Sequence, residues 1–155
     1  MSRRNWFAAV AGIILGLVFL AAGLGKLLNQ TESFLIFVFP EFLPTALDRF
    51  IFRWLPGIEV AVGALLIIGI AARLISSLAL VLTASLIVNN SVLFVQGFGD
   101  KPCGCFGAAE RWVQYRLSVT GALCIDVVML ILGFIVLFFY QSRFLDINPW
   151  FLRRR

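Results

Sequence analysis

The sequence predicts an all-α membrane protein, a four-helix transmembrane bundle with an interfacial segment between its first and second spans. Three observations carry that expectation. Of 155 residues, 61% are hydrophobic and 14% charged, with a mean hydropathy of +1.00. That is too little charge to cover the surface of a soluble domain of this size. The apolar residues come in blocks of about 20, which is bilayer length at ~1.5 Å rise per residue. Charged residues fall mostly where those blocks end.

The first span is expected from about Trp6 to Leu28. It follows a basic start, Arg3 and Arg4, and lacks a clear small-residue cleavage site, so it reads as an uncleaved signal anchor. Gly12 and Gly16 form a small-xxx-small face that lets another helix approach. Residues 29–53 read as the long first connection. Thr31 is a plausible helix cap there, and Pro40 and Pro44 confine Phe34 to Phe39 to short pieces, lying as an interfacial or re-entrant segment. The second span is expected over 54–72 with Pro56 in its first turn, and the third over 74–96. Gln96 to Lys101 reads as an exit loop. The fourth span is expected over 116–140, followed by a short basic tail, 141–155. The whole reads as one membrane domain.

Four spans put both termini on one side. Arg3, Arg4 and the terminal Arg153, Arg154 and Arg155 lie close to span ends and favour the cytoplasm. The expected location is a bacterial inner membrane, with the loop bearing Cys103 in the periplasm, where disulfides persist. The net charge of +5 reflects these topology signals and lipid headgroups. No folded basic surface is available for nucleic acid, so the partners expected are the bilayer and other proteins. Histidine is absent, which removes imidazole as a haem or zinc ligand and as a general base.

Chemistry concentrates in Pro102-Cys103-Gly104-Cys105-Phe106-Gly107, a short island between apolar runs. Cys103 and Cys105 are the candidate catalytic residues. A disulfide between them needs Cα atoms about 4.4–6.8 Å apart, which an extended i, i+2 pair does not quite offer. Gly104 lets the chain bend to close that gap. The small ring would be strained and, exposed at the surface, of the labile and oxidising kind. Lys101 and Arg111 could lower a thiol pKa by charge. Two other readings stand beside this one: a static bridge, and two ligands of a metal site. Three cysteines and no histidine argue against a complete zinc or iron–sulfur site from one chain, and no metal ligand is assigned. A bridge closing so small a loop would stabilise little.

Three charged residues lie within or near the spans: Lys26, Glu59 and Asp126. An aspartate at Asp126 costs ~3 kcal/mol in the bilayer centre unless it is protonated, paired or faces a polar cavity. Lys26 and Glu59 sit at matching depths, which predicts a pair, with Arg116 as another possible partner for Glu59. These residues read either as a polar clamp or as proton handling for thiol chemistry. Cys124, lone and inside the fourth span, reads as a small buried apolar side chain.

With these residues in view, the chain resembles the DoxX-like membrane proteins and, within them, the methylamine-utilisation MauE type. The resemblance runs through Gly16 to Leu27, through Leu55-Pro56-Gly57-Ile58-Glu59 with Gly63, Gly69 and Arg73, and through Asn89-Asn90 and Cys103-Gly104-Cys105-Phe106-Gly107. It implies a four-helix membrane bundle that supports disulfide formation or thiol-electron transfer beside a thioredoxin-like periplasmic partner. A quinone is a candidate electron acceptor, although no quinone motif is present, and no other cofactor is assigned. The alternative function is a non-catalytic accessory subunit packed in a larger membrane complex. Glycine faces, a 14% aromatic content and small size suit that role. A small-solute transporter is a weaker reading, because no pair of broken-helix repeats is visible.

Overall fold

In the computed structural model the residues described are 3–28, 45–103, 106 and 117–140, with side chains described from Trp6 in the first helix and Arg53 in the second. Four α-helices run through them: α1 (Arg3–Leu28), α2 (Thr45–Ile68), α3 (Ala72–Leu93) and α4 (Val119–Phe139). A π-helical turn, Phe94–Phe98, extends α3. α1 packs chiefly on α2, α3 packs on α4, and α1 also touches α4.

α3 and α4 each bury one stripe at steps of three and four residues. In α4 the stripe is Val119, Ala122, Asp126, Met129, Gly133 and Val136. In α3 it is Ala72, Ser76, Ala79, Thr83, Asn90 and Leu93. That spacing is the seam of nearly parallel helices packed side by side. The outward faces are apolar: Leu17, Val81, Val88, Ile131 and Phe138 are all exposed. The inward faces carry Lys26, Glu59, Ser76, Thr83, Asn90 and Asp126. Water would drive the opposite arrangement, so the distribution of side chains supports the membrane assignment independently of length. Among the described residues, three helical stretches are long and apolar enough to cross a bilayer: Trp6–Leu28, Ala72–Phe98 and Val119–Phe139.

The α1–α2 contact is set by glycine. A Cβ on Gly16 would stand 2.7 Å from the Gly63 carbonyl oxygen, and one on Gly63 would stand 2.7 Å from the Gly16 oxygen. Gly23, two turns beyond Gly16, faces the Pro56 carbonyl in the same way at 2.9 Å. The close face is therefore Gly16 with Gly23 on α1 against Gly63 on α2. Small residues let backbones approach where lipid gives no hydrophobic drive for association. α3 and α4 meet closely at Gly133, where a Cβ would stand 2.7 Å from Leu80, and Ser76 Oγ donates to the Gly133 carbonyl at 2.8 Å. The central layer comprises Leu15, Phe19, Val62, Leu66, Ala79 and Met129.

Several boundaries differ from the sequence expectation. α2 begins at Thr45 rather than Trp54, so Pro56 lies inside it and not in its first turn. No proline or glycine stands between Thr45 and Arg53, and nothing there stops a helix. Pro56 is buried there, with its carbonyl against Gly23 of α1. The expected interfacial segment is thus helical from Thr45 on, and its part from 29 to 44 lies outside the described residues, as do the tail 141–155 and Thr31. α2 stops at Ile68 rather than Ala72, because Gly69 takes φ 81° and returns its N–H to the Leu65 carbonyl at 2.8 Å. This is the left-handed stop that glycine makes cheap. Ala71 takes φ 45° without that freedom, and α3 starts at Ala72. The expected exit loop at Gln96 is still helical through Phe98. Ser118 caps α4, accepting from the Gly121 N–H at 3.2 Å, so that helix starts at Val119.

Replacing Gly16 or Gly63 with leucine should force α1 and α2 apart and lower stability by about 1–3 kcal/mol, the usual range for overpacking. Gly57→Ala is the control, since a Cβ there meets nothing within 4 Å. Thermal unfolding of the purified protein in detergent should show a lowered midpoint for the leucine variants and none for the control.

Candidate functional site

The buried polar residues gather toward the end of the bundle where the cysteine segment leaves α3. Each helix supplies one. Lys26 sits in the last turn of α1, Asn90 in the last turn of α3, and Asp126 about 10 Å along α4 from Val119 at ~1.5 Å per residue. Glu59 faces Lys26 from α2. They are 7%, 0%, 6% and 1% exposed respectively, which excludes solvent as the partner of their charges.

Lys26 Nζ donates to Glu59 Oε1 at 2.6 Å. The glycine contact sets this distance, because Gly23 and Gly16 bring the two helix axes close on the same face. Glu59 Oε2 is buried without a hydrogen-bond partner among the described residues. Lys26 is also near enough to Asp126 for their charges to interact. Its contact is with Glu59, and its charge acts on Asp126 only at longer range. In low dielectric that attraction offsets a desolvation cost of several kcal/mol per ion.

Asp126 Oδ2 accepts from Asn90 Nδ2 at 2.8 Å. The carboxylate fixes which way the amide points, and Asn90 Oδ1 then faces Cys103, with Sγ 3.6 Å away. Cys103 is held there by backbone. Its N–H donates to the Leu117 carbonyl at 2.8 Å, and the Val119 N–H donates to Lys101 at 3.0 Å. Pro102 and Ser118 form an isolated antiparallel bridge. The two arms of the cysteine segment thus pair across the end of the bundle and turn Cys103 inward. There it packs with Leu93, Val119 and Ala122. The Gly99 carbonyl, bonded by both Thr120 N at 3.2 Å and Thr120 Oγ1 at 3.0 Å, ties the exit of α3 to the start of α4.

The expectation of an exposed pair is corrected for Cys103, which is 1% exposed. The cause is the bridge just described, which a loop of two glycines did not foreshadow. Cys105 and Arg111 lie outside the described residues, as does Arg116. Lys101 places its ammonium 4.7 Å from the centre of the Phe98 ring. Cys124 is also corrected: it is a free thiol on the exposed face of α4, two positions from the buried Asp126. Asn90 was visible only as one of several polar residues of the third span. Its seven-residue spacing from Thr83 and three-residue spacing from Leu93 place it on the buried stripe, and that spacing was the available signal. Among the described residues, no three Cys, Asp or Glu side chains stand together as a metal site requires.

Removing one member of the Lys26–Glu59 pair should cost about 3–5 kcal/mol, because the other charge is left buried. Lys26→Met and Glu59→Leu should each lower the thermal midpoint in detergent, and the double variant should recover most of the loss.

No curated protein and no solved structure matches the chain. The family described as methylamine utilisation protein MauE matches residues 4–139, from the start of α1 to the end of α4. A match of that extent takes in all four helices, the Asn90–Asp126 contact and the cysteine segment, and by it this multi-pass membrane chain belongs to the MauE family.

Proposed function

We propose that this chain is a membrane thiol–disulfide relay serving methylamine utilisation. Cys103 and Cys105 exchange a disulfide with a thioredoxin-like protein at the periplasmic face of a bacterial inner membrane, with both termini cytoplasmic. One observation carries this reading: the Cys103 sulfur is set against a buried amide–carboxylate pair. A structural cysteine needs only apolar neighbours. Here Asn90 and Asp126 stand instead, and an intramembrane carboxylate is expensive to keep. The state of the cysteines adds support, since Cys124 is a free thiol and Cys103 is not. The orientation rests on the arginines at both chain ends. Wider kinship with DoxX-like proteins rests on the first-span glycines and on Glu59 with Lys26.

The exchange runs through a mixed disulfide. A partner thiolate attacks one sulfur of the pair, the other sulfur leaves, and the partner's second thiol then releases the partner as a disulfide. The proton given up by each attacking thiol is taken by each departing sulfur. The chain is left with two thiols. Reoxidation passes two electrons to an acceptor of the quinone class, and no residue is assigned to hold it.

A second reading is favoured by the burial of Cys103: an accessory subunit of a larger membrane complex, in which the cysteines only fix the loop. Thiol trapping on intact membranes separates the two. The relay expects the pair to shift between oxidised and reduced forms with added dithiothreitol, and a mixed disulfide to accumulate in a single-serine variant. Unchanged growth on methylamine with both Cys103→Ser and Cys105→Ser in place would assign the accessory role.

A further inference from the structure

We infer that Asn90, held by Asp126, is a positioning residue that receives the Cys103 sulfur, so that Cys105 is the sulfur a partner attacks. The inference rests on the relay proposed above and assigns the roles within it. Three observations converge. Cys103 is 1% exposed and walled by Leu93, Val119 and Ala122, so a second protein has no line of approach to it. Its Sγ stands 3.6 Å from Asn90 Oδ1, within reach of an S–H···O bond when the sulfur carries a proton. Asn90 is itself 0% exposed, and its amide is committed to Asp126 Oδ2 at 2.8 Å, which keeps the oxygen and not the N–H toward the sulfur.

An oxygen facing a sulfur favours the protonated thiol over the thiolate. Burial in an apolar cluster acts in the same direction. Cys103 is therefore unsuited to attack, and its burial makes it the sulfur released when a partner bonds to Cys105. When a partner thiolate bonds to Cys105, the Cys103–Cys105 bond breaks. Cys103 departs with the bonding electron pair, takes up the proton that the partner thiol gave up, and donates it in a hydrogen bond to Asn90 Oδ1. Reduction of the pair is thereby favoured by one buried hydrogen bond that the disulfide lacks. Asp126 touches neither cysteine in this scheme; it acts through Asn90.

The test uses the full-length chain in native membrane vesicles in a Cys124→Ser background, with glutathione as the probe. With Cys103→Ser, the remaining Cys105 should form a mixed disulfide with oxidised glutathione on the order of tenfold faster than Cys103 does with Cys105→Ser. Equal rates, or faster reaction at Cys103, overturn the assignment. For the two-cysteine chain, the ratio of reduced to oxidised glutathione that half-reduces the pair is the second readout. Loss of the acceptor in Asn90→Leu should move the equilibrium toward the disulfide by about fivefold, the worth of one hydrogen bond. Asp126→Asn, nearly isosteric, should move it in the same direction by freeing the amide to turn. The double exchange Asn90→Asp with Asp126→Asn keeps an amide donor against a carboxylate and an acceptor oxygen toward the sulfur, and should return the equilibrium to within about twofold of the parent. A purely structural role would leave the equilibrium unmoved in every folded variant, and that result overturns the inference. A parent pair that never exchanges with glutathione sinks the relay itself, while a parent pair that exchanges normally with Asn90 indifferent sinks only the positioning role.

Discussion

Lipid offers no hydrogen-bond partners, so every buried polar group in this bundle must be answered from within the protein. That constraint explains why Lys26, Glu59, Asn90 and Asp126 occur together and not scattered. Lys26 bonds Glu59 at 2.6 Å, and Asn90 bonds Asp126 at 2.8 Å. Each pair joins two helices, and the charge of Lys26 reaches from the first pair toward the second. The glycine contact between Gly16 and Gly63 follows from the same requirement, because a lysine and a glutamate on separate helices meet only if the backbones come close. Packing and electrostatics are thus one arrangement at this contact.

The rest of the helix surface is simpler. Apolar residues face outward and the buried stripes are small, as on α3, where Ala72, Ser76, Ala79 and Thr83 follow one another. Ser76 and Thr83 return their hydroxyls to carbonyls of Gly133 and Ala79, so they cost little in a low-dielectric interior. Lys26, Glu59, Asn90 and Asp126 are different in kind, since three of them carry ionisable groups. Their concentration at one end, beside the cysteine segment, separates a site from general helix packing.

Helix number and class were legible from block length and charge placement, since both follow from bilayer thickness. The Lys26–Glu59 contact was legible because two opposite charges at matching depth have few alternatives in lipid. Helix starts were less so. Proline at position 56 reads locally as a first turn, yet the chain from Thr45 has nothing to stop a helix, and tertiary shielding decides. The burial of Cys103 was not legible at all. It comes from a backbone bridge between Pro102 and Ser118, which joins segments on either side of the cysteine loop and leaves no periodic mark in side-chain type. Asn90 fell between these cases: its stripe position could be counted, but its link to Cys103 depends on that same bridge. Cys124 misled for the opposite reason, since depth in a span says nothing of which face a residue occupies.

In the relay we propose, one buried sulfur is enough to give a direction. If both sulfurs of the pair were equally open, a partner could bond to either, and half of the mixed disulfides would leave the wrong thiol free. Enclosing Cys103 behind Leu93, Val119 and Ala122 removes that choice sterically, before any difference in thiol chemistry acts. On that proposal the Asn90–Asp126 pair adds a chemical bias at the buried sulfur. Steric exclusion of this sort is effectively all-or-none, whereas a single hydrogen bond is worth about 1 kcal/mol. In the proposed relay the enclosure therefore sets which sulfur is attacked, and the amide sets only how readily the pair accepts electrons. The two effects reside in different residues, so each can be altered while the other stays in place.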